Sequence, residues 1–516
     1  MARIRRIKSL LLIVAVLLAF GSCAHEPAQK QGPAYASTPS STPPAAEAAK
    51  RGQHEIELAD IVDNPKAANA IWGISIKSLA TGKTLFSRNE DKLFVPASNM
   101  KLFTTAVALV RLGPDFRYTT NLYAGGKIEK GVLKGDLFLR GSGDPTISEV
   151  FQGRATAVFE DWADQLKRQG IRKIAGDVIG DGRLFDDRDM GRGWAWDDEM
   201  MYYSARISAV SFNENCFQVT VSPGKRAGQA AQIEIDPDTS YVKIINSVKT
   251  SGEGEQKDLD ARRGAGSSTI LLSGSVAEGS EPRRIRFTAA NPTLYAMTVL
   301  KETFEKKGIR IWGRPADVGS AGKDPDYKSL KIIAVRHSEP LSAIIEHINK
   351  RSQNLYSELL FRTLGAIYGG HGTTEKAVQV IKESLRVMGI PEDELAIYDG
   401  SGLSRLDLVT PSQMVRLLDY MSKHPYFEHF YRSLPVAGVD GTLLKRMKNT
   451  AAENNVRAKT GTLAHMVSLS GYFRSRDGPL IAFSIMSNNC LSPPEDVRSL
   501  QDRICERLVR FFEEER

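Results

Sequence analysis

A serine and a lysine three positions apart, in Ser98-Asn99-Met100-Lys101, are the residues of this chain best placed for covalent chemistry. Pro96 favours a helix that starts at this point, so Ser98 and Lys101 are expected to share a face of its first turn. The unpaired N–H groups and positive field there favour a neutral lysine and a developing alkoxide. Lys101 could then accept the proton of a nucleophilic Ser98. The alternative is a helix cap with a solvated lysine, because Ser-x-x-Lys should occur on the order of twice by chance.

A second candidate motif, Ser352-Gln353-Asn354, falls at a predicted break between two helices. The Ser352 hydroxyl could relay a proton to a leaving group, and the Asn354 amide could hold a substrate amide. An exposed polar turn between helices is the alternative for these three residues.

A third candidate motif, Lys459-Thr460-Gly461-Thr462, lies on a predicted strand. Gly461 lacks a side chain where a substrate backbone would approach, and an edge strand here could bind an extended peptide. Lys459 would meet a carboxylate, to which Thr460 or Thr462 could donate. The backbone N–H groups of Ser98 and Thr462 would form an oxyanion hole. A solvated lysine followed by a hairpin glycine is the alternative.

The elements around these motifs predict a sheet built from both ends of the chain. Strands are predicted at 72–78 and 84–87 before the first motif, and three more strands are predicted after residue 455. Short alternating strands and Gly-rich turns dominate 116–327, which predicts inserted modules. We therefore expect a multidomain α/β (α+β) protein. Its catalytic domain would be an antiparallel sheet flanked by helices, with large β-rich insertions.

The N-terminus is typical of an export signal. Basic residues precede an apolar run at 9–20 that is too short to cross a bilayer comfortably. The run ends in Gly21-Ser22-Cys23, which resembles a bacterial lipoprotein processing site that would lipidate Cys23. Ordinary cleavage after Ala24 is the alternative. We expect a signal peptide at 1–22 and a flexible Pro/Ala/Ser-rich linker at 23–54.

Composition excludes some other classes of function. The net charge of +8 is partly due to the basic residues of the signal segment and makes no case for nucleic acid. No CxxC or His/Cys cluster suggests zinc. Of the remaining cysteines, Cys216, Cys490 and Cys505, the last two are the better candidate disulfide pair.

Taken together, the motifs resemble those of the class C low-molecular-mass penicillin-binding proteins, the D-Ala-D-Ala carboxypeptidase/endopeptidase family (peptidase family S13). Four further segments carry the resemblance: Gly141–Thr146, Gly193–Asp198, Gly441-Thr442 and Asp399–Arg405. Ser98 and Ser352 are 254 residues apart, and the family has a large insertion at that place. The resemblance implies the following division: a transpeptidase-like, β-lactamase-like catalytic domain at 55–115 and 328–516, an inserted domain II at 116–212 and 291–327, and a nested domain III at 213–290.

The resemblance implies a serine-type D-Ala-D-Ala carboxypeptidase, with DD-endopeptidase activity as well, acting on peptidoglycan stem peptides through a Ser98 acyl-enzyme. β-Lactams would acylate Ser98, and no metal or organic cofactor is expected. An acidic residue of the insertion, Asp197 or Asp198, would meet the distal amine of the stem peptide. Arg405 would contact a substrate carboxylate. The enzyme would work in the periplasm or cell envelope, with a possible lipid anchor to the membrane at Cys23.

Two other functions remain open at this stage. A serine β-lactamase or esterase on the same fold would need a deacylating base, for which the chain has no recognisable motif. A non-catalytic wall-binding lipoprotein would have no use for the complete motif set. The acidic pair at 197–198 could also be an ordinary loop, and Arg405 could anchor a loop through a salt bridge.

Overall fold

The structure, a computed structural model, describes residues 57–252, 257–474 and 478–514. The predicted signal peptide, the linker and Cys23 lie outside the described residues. Among the residues described, no helix is long and apolar enough to cross a membrane. The sequence pattern predicts a short helix at 57–70, whereas helical geometry covers 57–62 and resumes as one 3₁₀ turn at Pro65–Ala67.

The strands are β1 Ile71–Ser78, β2 Thr84–Arg88, β3 Thr119–Glu129, β4 Val132–Arg140, β5 Lys173–Ile174, β6 Val178–Asp181, β7 Cys216–Ser222, β8 Gln232–Asp236, β9 Lys243–Asn246, β10 Lys249–Ser251, β11 Asp260–Arg263, β12 Thr269–Ser273, β13 Ser275–Ala277, β14 Arg283–Thr288, β15 Arg310–Ile311, β16 Pro315–Asp317, β17 Lys331–His337, β18 Arg457–Leu463, β19 Met466–Arg474 and β20 Leu480–Asn488. The helices between and after them are α1 Met100–Leu112, α2 Glu149–Gln152, α3 Ala157–Arg168, α4 Pro292–Lys306, α5 Leu341–Arg351, α6 Asn354–Tyr368, α7 Thr374–Val387, α8 Pro411–Ser422, α9 Phe427–Ser433 and α10 Pro494–Glu514.

The sheet that carries the third motif has the order β18-β19-β20-β1-β2, with antiparallel neighbours throughout. It joins strands from both ends of the chain, as predicted. Residues alternate between its two faces. Leu469, Phe473 and Ile485 pack in one core with α10. Tyr472 and Met486 pack in the other core with α1 and with α5 to α8.

Helix α1, which follows the first motif, is buried on nearly every side from Met100 to Leu109. The apolar residues of α1 pack in the core with α5 to α8, and its polar residues Lys101, Thr104 and Thr105 are buried as well. Gly113 ends α1 with a φ of 81°, and its N–H donates to the Leu109 carbonyl. The helix therefore holds the first motif on a rigid base.

The inserted part of the chain contains a mixed sheet, β15-β5-β4-β3-β17, in which β6 also pairs with β4 and β16 pairs with β6. Helices α3 and α4 share its core. Within 213–290, β7 to β14 form three small sheets. The domain boundaries remain predictions, with one correction: β17 falls in the segment expected to begin the second catalytic part at 328, but it pairs with β3 of the insertion. Hydrogen bonding to the distant strand β3 determines that β17 belongs to the sheet of the insertion, and no local sequence pattern indicates this long-range pairing.

The candidate pairing of Cys490 with Cys505, which the sequence left open, is not formed in this structure, where Cys216, Cys490 and Cys505 are free and buried. Cys490 and Cys505 both lie in the core between the sheet and α10. Buried free cysteines behave as small apolar side chains, and that is the role these two have.

Candidate active site

Ser98 lies in a 3₁₀ turn, Ala97–Asn99, that leads directly into α1. The turn is pinned to the neighbouring sheet: the Ser468 hydroxyl donates to the Pro96 carbonyl at 2.6 Å, and the Asn99 amide donates to Ser470 Oγ at 2.7 Å. Ala97 has a φ of 47°, in the left-handed region that non-glycine residues rarely occupy. The surroundings therefore hold Ser98 in a strained turn, as is common at functional sites.

Lys101 Nζ lies 3.0 Å from Ser98 Oγ and also donates to Asn354 Oδ1 and the Ser401 carbonyl, each at 2.6 Å. The side chain is completely buried, which contradicts the solvated lysine of the alternative interpretation. Burial lowers the pKa of Lys101 to about 7, although the nearby Asp399 carboxylate raises it. A lysine with this pKa is substantially neutral at physiological pH and can serve as a general base.

Ser352 and Asn354 lie between α5 and α6, where Ser352 ends α5 in a left-handed conformation with a φ of 57°. The Asn354 amide is fixed on both sides. Its oxygen accepts from Lys101, and its nitrogen donates to the Tyr203 carbonyl of the insertion at 2.7 Å. Ser352 Oγ accepts from Lys459 Nζ at 2.8 Å, which joins the second motif to the third.

Lys459 is fully buried, and its Nζ also donates to the Thr460 carbonyl at 2.8 Å. Burial lowers the pKa of Lys459 well below its usual value, and the neighbouring Lys101 lowers it further. Gly461 has no room for a side chain: a Cβ there would overlap Ser468 Oγ and come within 2.9 Å of the Ser98 nitrogen. The backbone of β18 therefore passes directly against the turn of Ser98.

The predicted oxyanion hole is consistent with the direction of the β18 backbone. The Ala458 N–H donates away from β19, to the Pro435 carbonyl. Because N–H groups alternate between the two edges of a strand, those of Thr460 and Thr462 point to the same outer edge. Thr462 and Ser98 both line the cleft along that edge.

The cleft has a volume of about 1230 Å³ and brings together most of the predicted site. Predicted site residues that line it are Ser98, Ser352, Asn354, Thr460, Thr462, Asp197, Asp198 and Arg405. Asp198 accepts from the Tyr203 hydroxyl at 2.7 Å. Burial and this carboxylate together raise the pKa of Tyr203. Arg405 donates to the Ala464 carbonyl at 3.4 Å, and it lines the cleft together with the acidic pair.

Sequence reasoning missed two cleft residues that hydrogen-bond to the third motif. Arg498, on α10, donates to Thr462 Oγ1 at 3.1 Å. Thr442, noted only as part of a resembling segment, accepts from Thr460 Oγ1 at 2.8 Å. An arginine in the first turns of a C-terminal amphipathic helix carries no sequence signal for a site, because only the packing of α10 beside β19 brings it to β18.

Comparisons with known proteins agree with this geometry. The model of the D-Ala-D-Ala carboxypeptidase 3 (S13) family matches residues 54–510. The D-alanyl-D-alanine carboxypeptidase of Actinomadura sp. is 33% identical over 462 residues, covering 87% of this chain and 83% of the relative. The D-alanyl-D-alanine carboxypeptidase DacB of Haemophilus influenzae is 28% identical over 436 residues, covering 83% and 87%. The crystal structure of penicillin-binding protein 4 from Haemophilus influenzae superposes with a TM-score of 0.78 at 26% identity, covering 88% of this chain and 99% of that one. The predicted fold class is confirmed, and the chain belongs to the D-Ala-D-Ala carboxypeptidase 3 (S13) family.

Proposed function

We propose that the protein is a serine-type D-Ala-D-Ala carboxypeptidase that trims peptidoglycan stem peptides through an acyl-enzyme on Ser98. The observation that carries this proposal is the buried Lys101, whose Nζ lies 3.0 Å from Ser98 Oγ and whose pKa burial lowers to about 7. A non-catalytic wall-binding protein would not need to bury a lysine beside a serine, since burying an amine is costly.

Acylation follows from the hydrogen bonds of the site. Ser98 gives its proton to Lys101 as Oγ bonds to the carbonyl carbon of the penultimate D-Ala. The Ser98 and Thr462 N–H groups bind the oxyanion that forms. When the C–N bond breaks, the Ser352 hydroxyl delivers a proton to the departing amine, and Lys459 replaces the proton that Ser352 gives up. Deacylation runs the relay in reverse with water in place of the amine: water attacks the ester carbonyl and gives a proton back to Ser352, which returns one to Lys459, and Lys101 returns its proton to Ser98 Oγ as the ester bond breaks.

We expect the carboxylate of the departing D-Ala to bind at the outer edge of β18. Lys459, Thr460 and Thr462 offer donors there, as the sequence predicts, and Arg498 adds a fixed cation 3.1 Å from Thr462 Oγ1. A carboxylate next to Lys459 favours the charged form of the lysine. Substrate binding would therefore load Lys459 with the proton that Ser352 passes on.

We expect the distal amine of the stem peptide to lie beside the acidic pair of the insertion, Asp197 and Asp198. Asp197 and Asp198 line the cleft with Ser98. Asp198 already accepts from Tyr203, so Asp197 is the freer of the two to bind a cation. Arg405 lies at the same cleft and suits a second carboxylate of the peptide. The same site would cleave cross-linked peptides, which is the expected endopeptidase activity.

The expected location is also a proposal. The basic and apolar N-terminal segment supports export to the periplasm or cell envelope, and Cys23 supports a lipid anchor there. Mass spectrometry of the mature N-terminus tests both. A diacylated Cys23 is expected, and an N-terminus downstream of residue 24 would reject the anchor.

The decisive test combines substrate turnover with acylation. Purified protein incubated with a stem pentapeptide should release D-Ala, and Ser98→Ala should abolish the release. Incubation with a penicillin followed by peptide mapping should locate a stable adduct on Ser98. This is the result expected if the chain binds penicillins as the name of penicillin-binding protein 4 from Haemophilus influenzae states for that protein. Rapid turnover of a chromogenic β-lactam without a stable adduct would favour the β-lactamase alternative. An adduct on another residue would refute the assignment of the nucleophile.

A further inference from the structure

The loop at 399–405 lies directly against the turn that carries Ser98. The acylation steps proposed above assign no function to this contact. Gly402 has a φ of 77°, and a Cβ there would overlap the Ala97 carbonyl oxygen. The carbonyl of Gly400 accepts from Thr104 of α1 at 2.7 Å, and the carbonyl of Ser401 accepts from Lys101 at 2.6 Å. The loop is thus part of the surroundings of the general base.

Asp399 organises this loop from within. Its carboxylate accepts from the backbone N–H groups of Ser401, Gly402 and Ser404 at 3.1, 2.6 and 2.7 Å. The side chain is buried, so these bonds have little competition from water. Three backbone donors on one carboxylate fix the course of the loop and the direction of the Ser401 carbonyl.

A further donor to Asp399 comes from the insertion. Trp194 Nε1 donates to Asp399 Oδ2 at 2.8 Å. Ser404 Oγ in turn donates to the Arg192 carbonyl at 2.8 Å, and a Cβ on Gly193 would lie within 2.7 Å of that same Oγ. The segment around Trp194 is therefore fitted closely against the loop that faces Lys101.

The number of hydrogen-bond acceptors around Lys101 determines the direction of its free electron pair. A neutral amine has two hydrogens and one free electron pair, whereas an ammonium has three hydrogens. With Asn354 Oδ1 and the Ser401 carbonyl each at 2.6 Å, both amine hydrogens have acceptors. The free electron pair is then left to face Ser98 Oγ, which is where a general base must accept a proton.

We propose that Asp399 and Trp194 are positioning residues for acylation, which hold the Ser401 carbonyl where it directs the free electron pair of Lys101 at Ser98. The inserted part of the chain thereby contributes to the geometry of the general base as well as to the cleft wall. The inference rests on the proposed function, because it assumes that Lys101 is the base.

The charges that face Lys101 predict how its pH dependence should respond. The carboxyls of Asp399, Glu358 and Asp407 all raise its pKa, and Asp399 contributes most of the three. Burial raises the pKa of Glu358 to about 8 and that of Asp407 well above its usual value, and the Asp399 carboxylate raises both further. Lys101 in turn lowers the pKa of Lys459. Removing the charge of Asp399 should therefore lower the pKa of Lys101 further.

The test compares Trp194→Phe and Asp399→Asn with wild type in acylation by a fluorescent penicillin between pH 5.5 and 9. Varying the penicillin concentration separates the affinity of the first complex from the first-order acylation constant. Trp312→Phe is the matched control, because Trp312 belongs to the same insertion and is 65% exposed. The acylated fraction at completion counts active molecules, so misfolded protein does not distort the rate constants.

We expect Trp194→Phe to lower the acylation constant about tenfold, as for one lost hydrogen bond to a charged group, with unchanged affinity. Asp399→Asn should lower it about a hundredfold, as for a misplaced reacting group, and should move the acidic midpoint to lower pH. Trp312→Phe should stay within about twofold of wild type. If Asp399→Asn does not fold, Trp194→Phe decides alone. An acylation constant for Trp194→Phe within about twofold of wild type, or a loss in affinity alone, overturns the proposal. Acylation of wild type itself tests the proposed function separately.

Discussion

Lowering the pH should inactivate this enzyme by protonating Lys101. Burial lowers the pKa of Lys101 from 10.5 to about 7. At that value about nine-tenths of the lysine is neutral at pH 8, about one-tenth at pH 6 and about one-hundredth at pH 5. The acylation constant should therefore fall about tenfold per pH unit below 7 and level off above 8. If Lys101 had the pKa of an ordinary lysine, the acylation constant would instead still be rising at pH 10.

The assay is stopped-flow acylation by a β-lactam whose own charge does not change between pH 5 and 9. The affinity for the first complex, obtained from the same data, should vary little over this range and serves as the control. A variant at an exposed lysine, Lys92→Met, should reproduce the wild-type profile. A profile that is flat from pH 5 to 9, or one with its midpoint near 10, would refute the assignment of Lys101 as a buried general base.

Three further predictions concern the cleft and the core. Gly461→Ala should slow acylation at least tenfold, because the new Cβ overlaps Ser468 Oγ and crowds the Ser98 nitrogen. Gly264→Ala, whose Cβ would make only an ordinary contact of 3.9 Å with Ser267 Cβ, should leave the acylation constant unchanged. Arg498→Gln should raise the KM for a peptide ending in a free carboxylate about tenfold, as for a lost charged hydrogen bond, and leave its C-terminal amide unaffected; equal effects on both peptides would argue against carboxylate binding. Native protein carrying Cys23→Ser should react slowly with Ellman's reagent and expose three thiols on unfolding, since Cys216, Cys490 and Cys505 are free and buried; fewer thiols would mean that a disulfide exists after all.

Much of the architecture could be predicted because it depends on local pattern. The sequence pattern predicts helices at 155–169, 292–307, 374–388 and 411–423, and α3, α4, α7 and α8 lie within two residues of those bounds. The helix predicted at 57–70 was too long because Asn64 caps a new turn that begins at Pro65. The segment that forms β17 was assigned to the catalytic domain, but it pairs with β3 of the insertion, which lies about 200 residues earlier in the chain.

The candidate site was predictable where its geometry is local. Three positions along one turn bring Ser98 and Lys101 together, although the turn at Ser98 is 3₁₀ and α1 begins at Met100. The order of the three motifs pointed to Ser352, Asn354 and Lys459. Arg498 was missed because nothing near it in the chain resembles a binding motif.

The sequence by itself determined which groups could react, their order along the chain and the elements that carry them, because residue chemistry and short-range periodicity are written in neighbouring positions. Only the tertiary structure decided that Lys101 is buried, because its surroundings come from segments about 250 to 300 residues away, around Asn354 and Ser401. Desolvation and hydrogen bonding in that enclosure set the pKa of Lys101 and the direction of its free electron pair. The same packing joined Trp194 to Asp399 and left Cys490 and Cys505 unpaired.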